Sequence, residues 1–171
     1  PLVSVDEVKK VALEAKSHKA SRFAIVTSGR TPDEGRDFQI ELDMIKEINK
    51  IGGLKSCASI GILNEEQAKL LAEAGLTRFH HNINTCRSYY PEVCTTHTFE
   101  DRINTCRLVK KYGMELCCGV ILGMGESIEQ RIEMALELAE IEPDSIPINI
   151  LMPIPETPFE NYSDKIDEEN V

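Results

Sequence analysis

The sequence predicts an α/β fold with about five parallel strands joined by crossover helices. Three observations lead there. Helix start and stop signals recur along the chain, short apolar runs separate them, and strand after helix after strand is the signature of a parallel sheet. An open sheet and a (β/α)8 barrel both fit this pattern. A complete barrel needs at least ~200 residues, so a chain of 171 that opens on a helix and closes just after a strand reads as the middle of something larger.

The first helix begins at Ser4, which with Glu7 forms a capping box ahead of the apolar face Val5, Val8, Ala12 and Ala15. A second carries Leu42, Ile45 and Ile48 and stops at Gly52-Gly53. Asn64 caps a third, with Gln67 three residues on, Leu71 and Ala72 inside it and Gly75 at its end. Thr98 starts a fourth that runs to Gly113. Ser127 and Gln130 open a fifth, with apolar positions Ile132, Ala135, Leu136 and Ala139, and Pro143 closes it. Between them the runs 22–27, 54–60, 77–83, 114–121 and 145–152 are the expected strands.

With 42% hydrophobic and 28% charged residues the chain is globular rather than disordered. A net charge of −10 repels phosphates, which argues against nucleic acid or an anionic membrane as partner. No apolar run reaches the ~18 residues of a membrane span, and the expected compartment is the cytoplasm. Six cysteines without a CxxC pair suit neither a disulfide scaffold nor a structural zinc site. The absence of Trp speaks against a carbohydrate or single-stranded nucleic-acid platform.

Alternate strand residues face opposite sides, and this sorts the chemistry. In the third run His80, Asn82 and Asn84 share one face, against Phe79, His81 and Ile83 on the other. Three polar groups in succession are costly in a packed core and reasonable in a ligand cavity. In the fourth run Leu116, Cys118, Val120 and Leu122 suit a helix-packed face, while Glu115, Cys117, Gly119 and Ile121 suit a lumen. Asn149 alternates with Pro147 and Leu151, and a satisfied core amide is the plain alternative there. Thiols at Cys57 and Cys117 together with these amides suit an iron–sulfur centre beside a polar organic substrate. Gly123-Met124-Gly125-Glu126 lies where helix amides can face a ligand, though without dinucleotide spacing. Cys86, Cys94, Cys106, His18 and His97 carry no evident role.

Several stretches resemble biotin synthase: His80-His81-Asn82-Ile83-Asn84-Thr85, the segment from Tyr90 to Arg102, Leu116 to Glu126, and Ser145 to Leu151. The likeness spans 1–160, which it implies is the central part of a (β/α)8 TIM-type barrel of the radical S-adenosylmethionine class, with 161–171 an acidic tail or the start of a next unit. It implies sulfur insertion into dethiobiotin by way of a 5′-deoxyadenosyl radical. The cofactors it implies are S-adenosylmethionine, a 4Fe–4S cluster whose ligands lie outside this sequence, and a sulfur-donating auxiliary iron–sulfur cluster. Cys57 and Cys117 would ligate the auxiliary cluster. Asn82 would contact S-adenosylmethionine and the substrate's ureido ring, Asn149 and His80 would also face that ring, and Ile121 would contact the adenine. Asn84 stands where the family usually holds an acidic ribose ligand. Ala24 stands where many members have a further cluster cysteine, which leaves the cluster type open and makes Cys118 an extra candidate ligand if Gly119 permits a bulge. An electron donor such as flavodoxin or ferredoxin and a homodimer complete the implied partners. A related radical enzyme with another substrate, such as one maturing a hydrogenase cofactor, and a cofactor-free α/β metabolite-binding module are the alternatives.

Overall fold

The computed structural model describes residues 2–32 and 35–162. Its elements run α1 (Val5–Ser17), β1 (Arg22–Val26), α2 (Arg36–Ile51), β2 (Lys55–Ser59), α3 (Glu65–Glu73), β3 (Arg78–His80), α4 (Tyr90–Val93), α5 (Phe99–Lys111), β4 (Glu115–Cys117), β5 (Val120–Leu122), α6 (Ile128–Ile141) and β6 (Ile148–Ile150). The three capping boxes form as the sequence requires, at Ser4 with Glu7, Asn64 with Gln67 and Ser127 with Gln130. Each satisfies two amides that a helix start otherwise leaves without partners. α2 ends where Gly52 and Gly53 take φ of 68° and 67°, a conformation that a Cβ would strain.

Four strands form one sheet in the order β1-β2-β3-β4, and β5 and β6 form a second. The β1–β2, β2–β3 and β5–β6 pairs are parallel. The chain divides into two compact units, each described by itself. The first holds α1 to β3, most of α5 and the start of β4; the second holds residues 82–104 and the chain from Cys117 onward.

In the first unit Ile25, Ala58 and Phe79 are register partners, and all three are buried. Phe38, Leu42, Ile45 and Ile48 of α2 and Val8 and Ala12 of α1 are buried as well. A groove of about 890 Å³ runs along α1, β1 and α2, lined largely by apolar side chains including Val3, Val8, Phe23 and Met44. It shares only Ala24 with the residues singled out for chemistry.

The second unit departs from expectation twice. The run 114–121 is not one strand, because the ladder breaks at Cys118-Gly119 and resumes as β5 in the other sheet. The reason is close approach: a Cβ on Gly119 would lie 1.8 Å from the Pro147 carbonyl oxygen. The second departure concerns α6, which buries Met134 and Leu138 and leaves Ile132 and Leu136 56% and 63% exposed. β6, an edge strand, is likewise exposed along Ile148, Asn149 and Ile150. α4 was not foreseen; with four residues it is too short to show a period.

Candidate functional site

Burial alternates residue by residue from Arg78 to Thr85, well beyond the three residues of β3. Phe79, His81, Ile83 and Thr85 are buried, while His80, Asn82 and Asn84 keep partial exposure. In the second unit the backbone explains why the alternation persists. Asn84 forms a parallel bridge with Val120, its N–H donates to the Gly119 carbonyl at 3.2 Å, and its own carbonyl accepts from Ile121 N–H at 2.8 Å. Asn84 does this at φ 68°, which Asn tolerates better than most residues.

Asn82 is held from two sides. Its side-chain oxygen accepts the Gly119 N–H at 2.9 Å, and its backbone carbonyl accepts from Arg102 Nη1 at 2.9 Å. An amide side chain whose oxygen accepts in this way carries its NH₂ as a donor. Ile121 is the register partner of Asn149, while Asn84 bridges the preceding residue, Val120, whose own partner is Ile148. Asn149 is exposed, which removes the alternative of a satisfied core amide.

Cys117 and Cys118 separate cleanly. Cys117 is partly exposed and bridges Ser145, whereas Cys118 is 0% exposed, on the packed face with Leu116 and Val120. Its N–H donates to the Ser145 carbonyl at 3.0 Å. The strand break leaves this sulfur buried, as Cys57 is, whereas Cys117 keeps partial access.

In the turn 123–126 the Gly123 amide is already taken, while the buried Glu126 Oε2 has no hydrogen-bond partner among the described residues. Glu126 accepts the Gly123 N–H at 2.8 Å and Arg131 Nε at 3.0 Å, and the amides at the start of α6 are used by its own capping box. Tyr89 donates its hydroxyl to the Met124 carbonyl at 3.0 Å. Burial, together with the charges of Tyr162, Glu126 and Glu92, pushes the Tyr89 phenol up.

The first unit holds a charged layer around Cys57. Ala24, Cys57 and Arg78 are register partners across β1, β2 and β3. Glu115 Oε2 accepts from Arg22 Nη2 at 2.9 Å and Arg78 Nε at 2.9 Å, with Lys55 at 3.5 Å from Oε1. Burial alone would raise that carboxyl, but Arg78, Arg22 and Lys55 outweigh it and hold it below the usual carboxylate value. Burial would lower the Arg22 guanidinium, but nearby Cys57 and Glu115 outweigh it and raise it. Sequence reasoning missed Arg22 and Arg78; Arg78 shares the alternation that marked His80, and Arg22 lies two residues before Ala24 on β1. Among the described residues no three His, Cys, Asp or Glu side chains converge as a metal site, and all six cysteines are free thiols.

The radical SAM superfamily pattern matches residues 1–139. This chain belongs to the radical SAM superfamily. Membership carries S-adenosylmethionine and a 4Fe–4S cluster as the family's cofactors. Radical SAM relatives at the sequence level include the biotin synthase of Acetivibrio thermocellus, 50% identical over 161 residues, with 94% of this chain and 50% of that protein aligned. The biotin synthase of Clostridioides difficile is 46% identical over 161 residues, covering 94% and 49%. The chain thus spans about half the length of the curated relatives it matches. Among solved structures, methylornithine synthase superposes with a TM-score of 0.85 at 20% identity, covering 96% of this chain and 49% of that one. HydG, a maturase of the FeFe-hydrogenase, gives 0.80 at 17% identity, covering 99% and 41%. These likenesses establish the fold class as part of a (β/α)8 barrel. No helix among the described residues is long and apolar enough to cross a membrane.

Proposed function

We propose that this chain is the central barrel portion, over 1–160, of a cytoplasmic enzyme that converts dethiobiotin to biotin by radical sulfur insertion. The observation that carries this reading is 50% identity to a biotin synthase across 94% of the chain. The side chains suit the reaction. A ureido ring offers two N–H donors and one carbonyl acceptor, and an amide side chain complements both. Asn149, exposed on β6, can pair with the ring in either sense; Asn82, its oxygen committed to Gly119, serves as a donor to the ring carbonyl or to a carboxylate of S-adenosylmethionine. Asn84 takes the ribose, Ile121 offers an apolar surface to the adenine, and His80 faces the substrate. Bound S-adenosylmethionine supplies the carbon radical that removes hydrogen from an otherwise unreactive carbon.

Cys57 and Cys117 each offer one thiolate to the auxiliary cluster, and Arg22 beside Cys57 offsets negative charge on that sulfur. The fit is partial. Two thiols do not complete a cluster, and Ala24 leaves the register position beside Cys57 without a ligand. Flavodoxin or ferredoxin as electron donor, and a homodimer, belong to the same reading.

The test uses the full-length protein reconstituted anaerobically. Cys117→Ala should remove the auxiliary iron and sulfide, and Asn149→Ala should weaken dethiobiotin binding while leaving reductive cleavage of S-adenosylmethionine intact. Unchanged iron content, or wild-type dethiobiotin affinity in Asn149→Ala, would reject the assignment. The second outcome would favour a related radical enzyme with another substrate, the reading that Ala24 and Asn84 also support.

A further inference from the structure

Cys94 has surroundings that no role assigned so far requires. It follows the short helix α4, is partly exposed, and stands next to exposed Thr95 and Thr96. Its sulfur lies 3.5 Å from His97 Nδ1 and 3.8 Å from Nε2. Distances so similar to both ring nitrogens place the sulfur over the imidazole face, not in its plane. Thr96 Oγ1 bridges the two groups, 3.0 Å from His97 Nδ1 and 3.5 Å from the sulfur. In the tautomer with hydrogen on Nδ1, the ring donates to Thr96 and the Thr96 hydroxyl donates to Cys94. The backbone of Thr96 and His97 and the Tyr90 hydroxyl also favour the thiolate over the thiol. Tyr90 is anchored in turn by Arg102 Nε at 2.5 Å, the same guanidinium that holds the Asn82 carbonyl.

We propose that Cys94 is a nucleophilic thiolate that accepts sulfane sulfur from a small persulfide or polysulfide. Burial alone would raise this thiol, but the Thr96, His97 and Tyr90 donors outweigh it and hold it below the ordinary thiol value. The titratable and charged groups facing the sulfur are Tyr90 and His97, with Arg102 behind Tyr90. A reachable, low-pKa thiolate is the reactive form of cysteine. Cys86, Cys106 and Cys118 are buried, so Cys94 differs from them in access as well as in donors.

The Thr96 hydroxyl at 3.5 Å and the His97 ring against one sulfur favour a sulfur anion, which suits an exchange whose attacking and leaving atoms are both thiolates. Cys94 Sγ attacks the sulfane sulfur and a new S–S bond forms. The donor's S–S bond breaks, and its electron pair leaves with the donor thiolate, which takes a proton from solvent. One sulfur atom moves, Cys94 becomes a persulfide, and no electron is left over. The choice of sulfur as electrophile rests on the sulfur-insertion reading; the thiolate does not.

The experiment alkylates the chain with iodoacetamide between about pH 5 and about pH 10 and reads each cysteine by peptide mass spectrometry. Cys94 should titrate below an ordinary cysteine thiol. Thr96→Val should slow its alkylation about tenfold at neutral pH, the effect of one pKa unit, and leave the rate at high pH unchanged. Inorganic polysulfide should then add the mass of one sulfur atom to the Cys94 peptide, and less in Thr96→Val. A Cys94 profile at or above the ordinary thiol value, or one indifferent to Thr96→Val, would overturn the thiolate. Fast alkylation without sulfur uptake would overturn the acceptor role. Neither readout needs dethiobiotin, so failure of the function assigned above registers separately.

Discussion

Replacing Asn82 should separate two roles that meet in one side chain. Its oxygen accepts the N–H of Gly119, a buried residue with the Pro147 carbonyl so close that no side-chain atom fits there. Water cannot easily substitute in such a place. Asn82→Ala therefore leaves a buried N–H without its acceptor, at a cost of ~1–3 kcal/mol. For a chain of this length that lowers the melting temperature by about 3–9 °C. Asn82→Asp behaves differently. It keeps an oxygen for Gly119 and should stay within about 1 kcal/mol of wild type, but it replaces the outward NH₂ donor with negative charge. In the full-length enzyme it should weaken S-adenosylmethionine binding at least ~tenfold, about 1.4 kcal/mol. Urea or thermal unfolding followed by circular dichroism measures the first effect, and anaerobic titration calorimetry the second. A wild-type midpoint for Asn82→Ala would show that the Gly119 contact does not stabilise the unit. Wild-type affinity for Asn82→Asp would show that the outward amide recognises nothing.

Two further outcomes follow from the same unit. Burial and the neighbouring charges of Glu133 and Glu140, only partly opposed by Arg87, push the Glu137 carboxyl up to about 7. Folding favours its protonated form, so this contribution is complete below about pH 4.5 and lost as pH rises to about 7; Glu137→Gln should flatten that decline and be the more stable form at pH ~8, by about 1–3 kcal/mol. Equal wild-type and variant stabilities at pH ~5.5 and ~8 in urea would refute the shift. Gly119→Ala should break the β5–β6 pairing, because its Cβ would meet the Pro147 carbonyl at 1.8 Å; we expect a loss of at least ~2 kcal/mol, and a wild-type unfolding midpoint would contradict the observed strand approach.

Local signals did most of the work of placing elements. Ser4, Asn64 and Ser127 define helix starts because the caps they make involve residues only three apart. The alternation through His80 and Asn82 was legible because an extended backbone fixes side-chain direction whether or not a ladder bond is present, whereas Asn84 at φ 68° departs from that conformation. Contacts between distant residues were a different matter. The break at Cys118-Gly119 depends on how closely Pro147 approaches, and that break moves β5 into a second sheet while leaving Cys118 buried. Arg22, Arg78 and Glu115 share one charge cluster only once three strands align in register.

The cluster at Cys94 shows the same division on a smaller scale. Cys94 and His97 gave no sequence signal, because i, i+3 spacing outside a helix does not bring side chains together. The turn after α4 lays the thiol on the imidazole and the Thr96 hydroxyl between them, and Arg102 fixes Tyr90 beside it from twelve residues away. Composition, caps and alternation determined which elements form and which residues alternate between burial and partial exposure along the third strand run. Tertiary structure alone decided which hydrogen-bonding atoms those residues keep available, because a side chain's free valences depend on every partner that packing brings within reach.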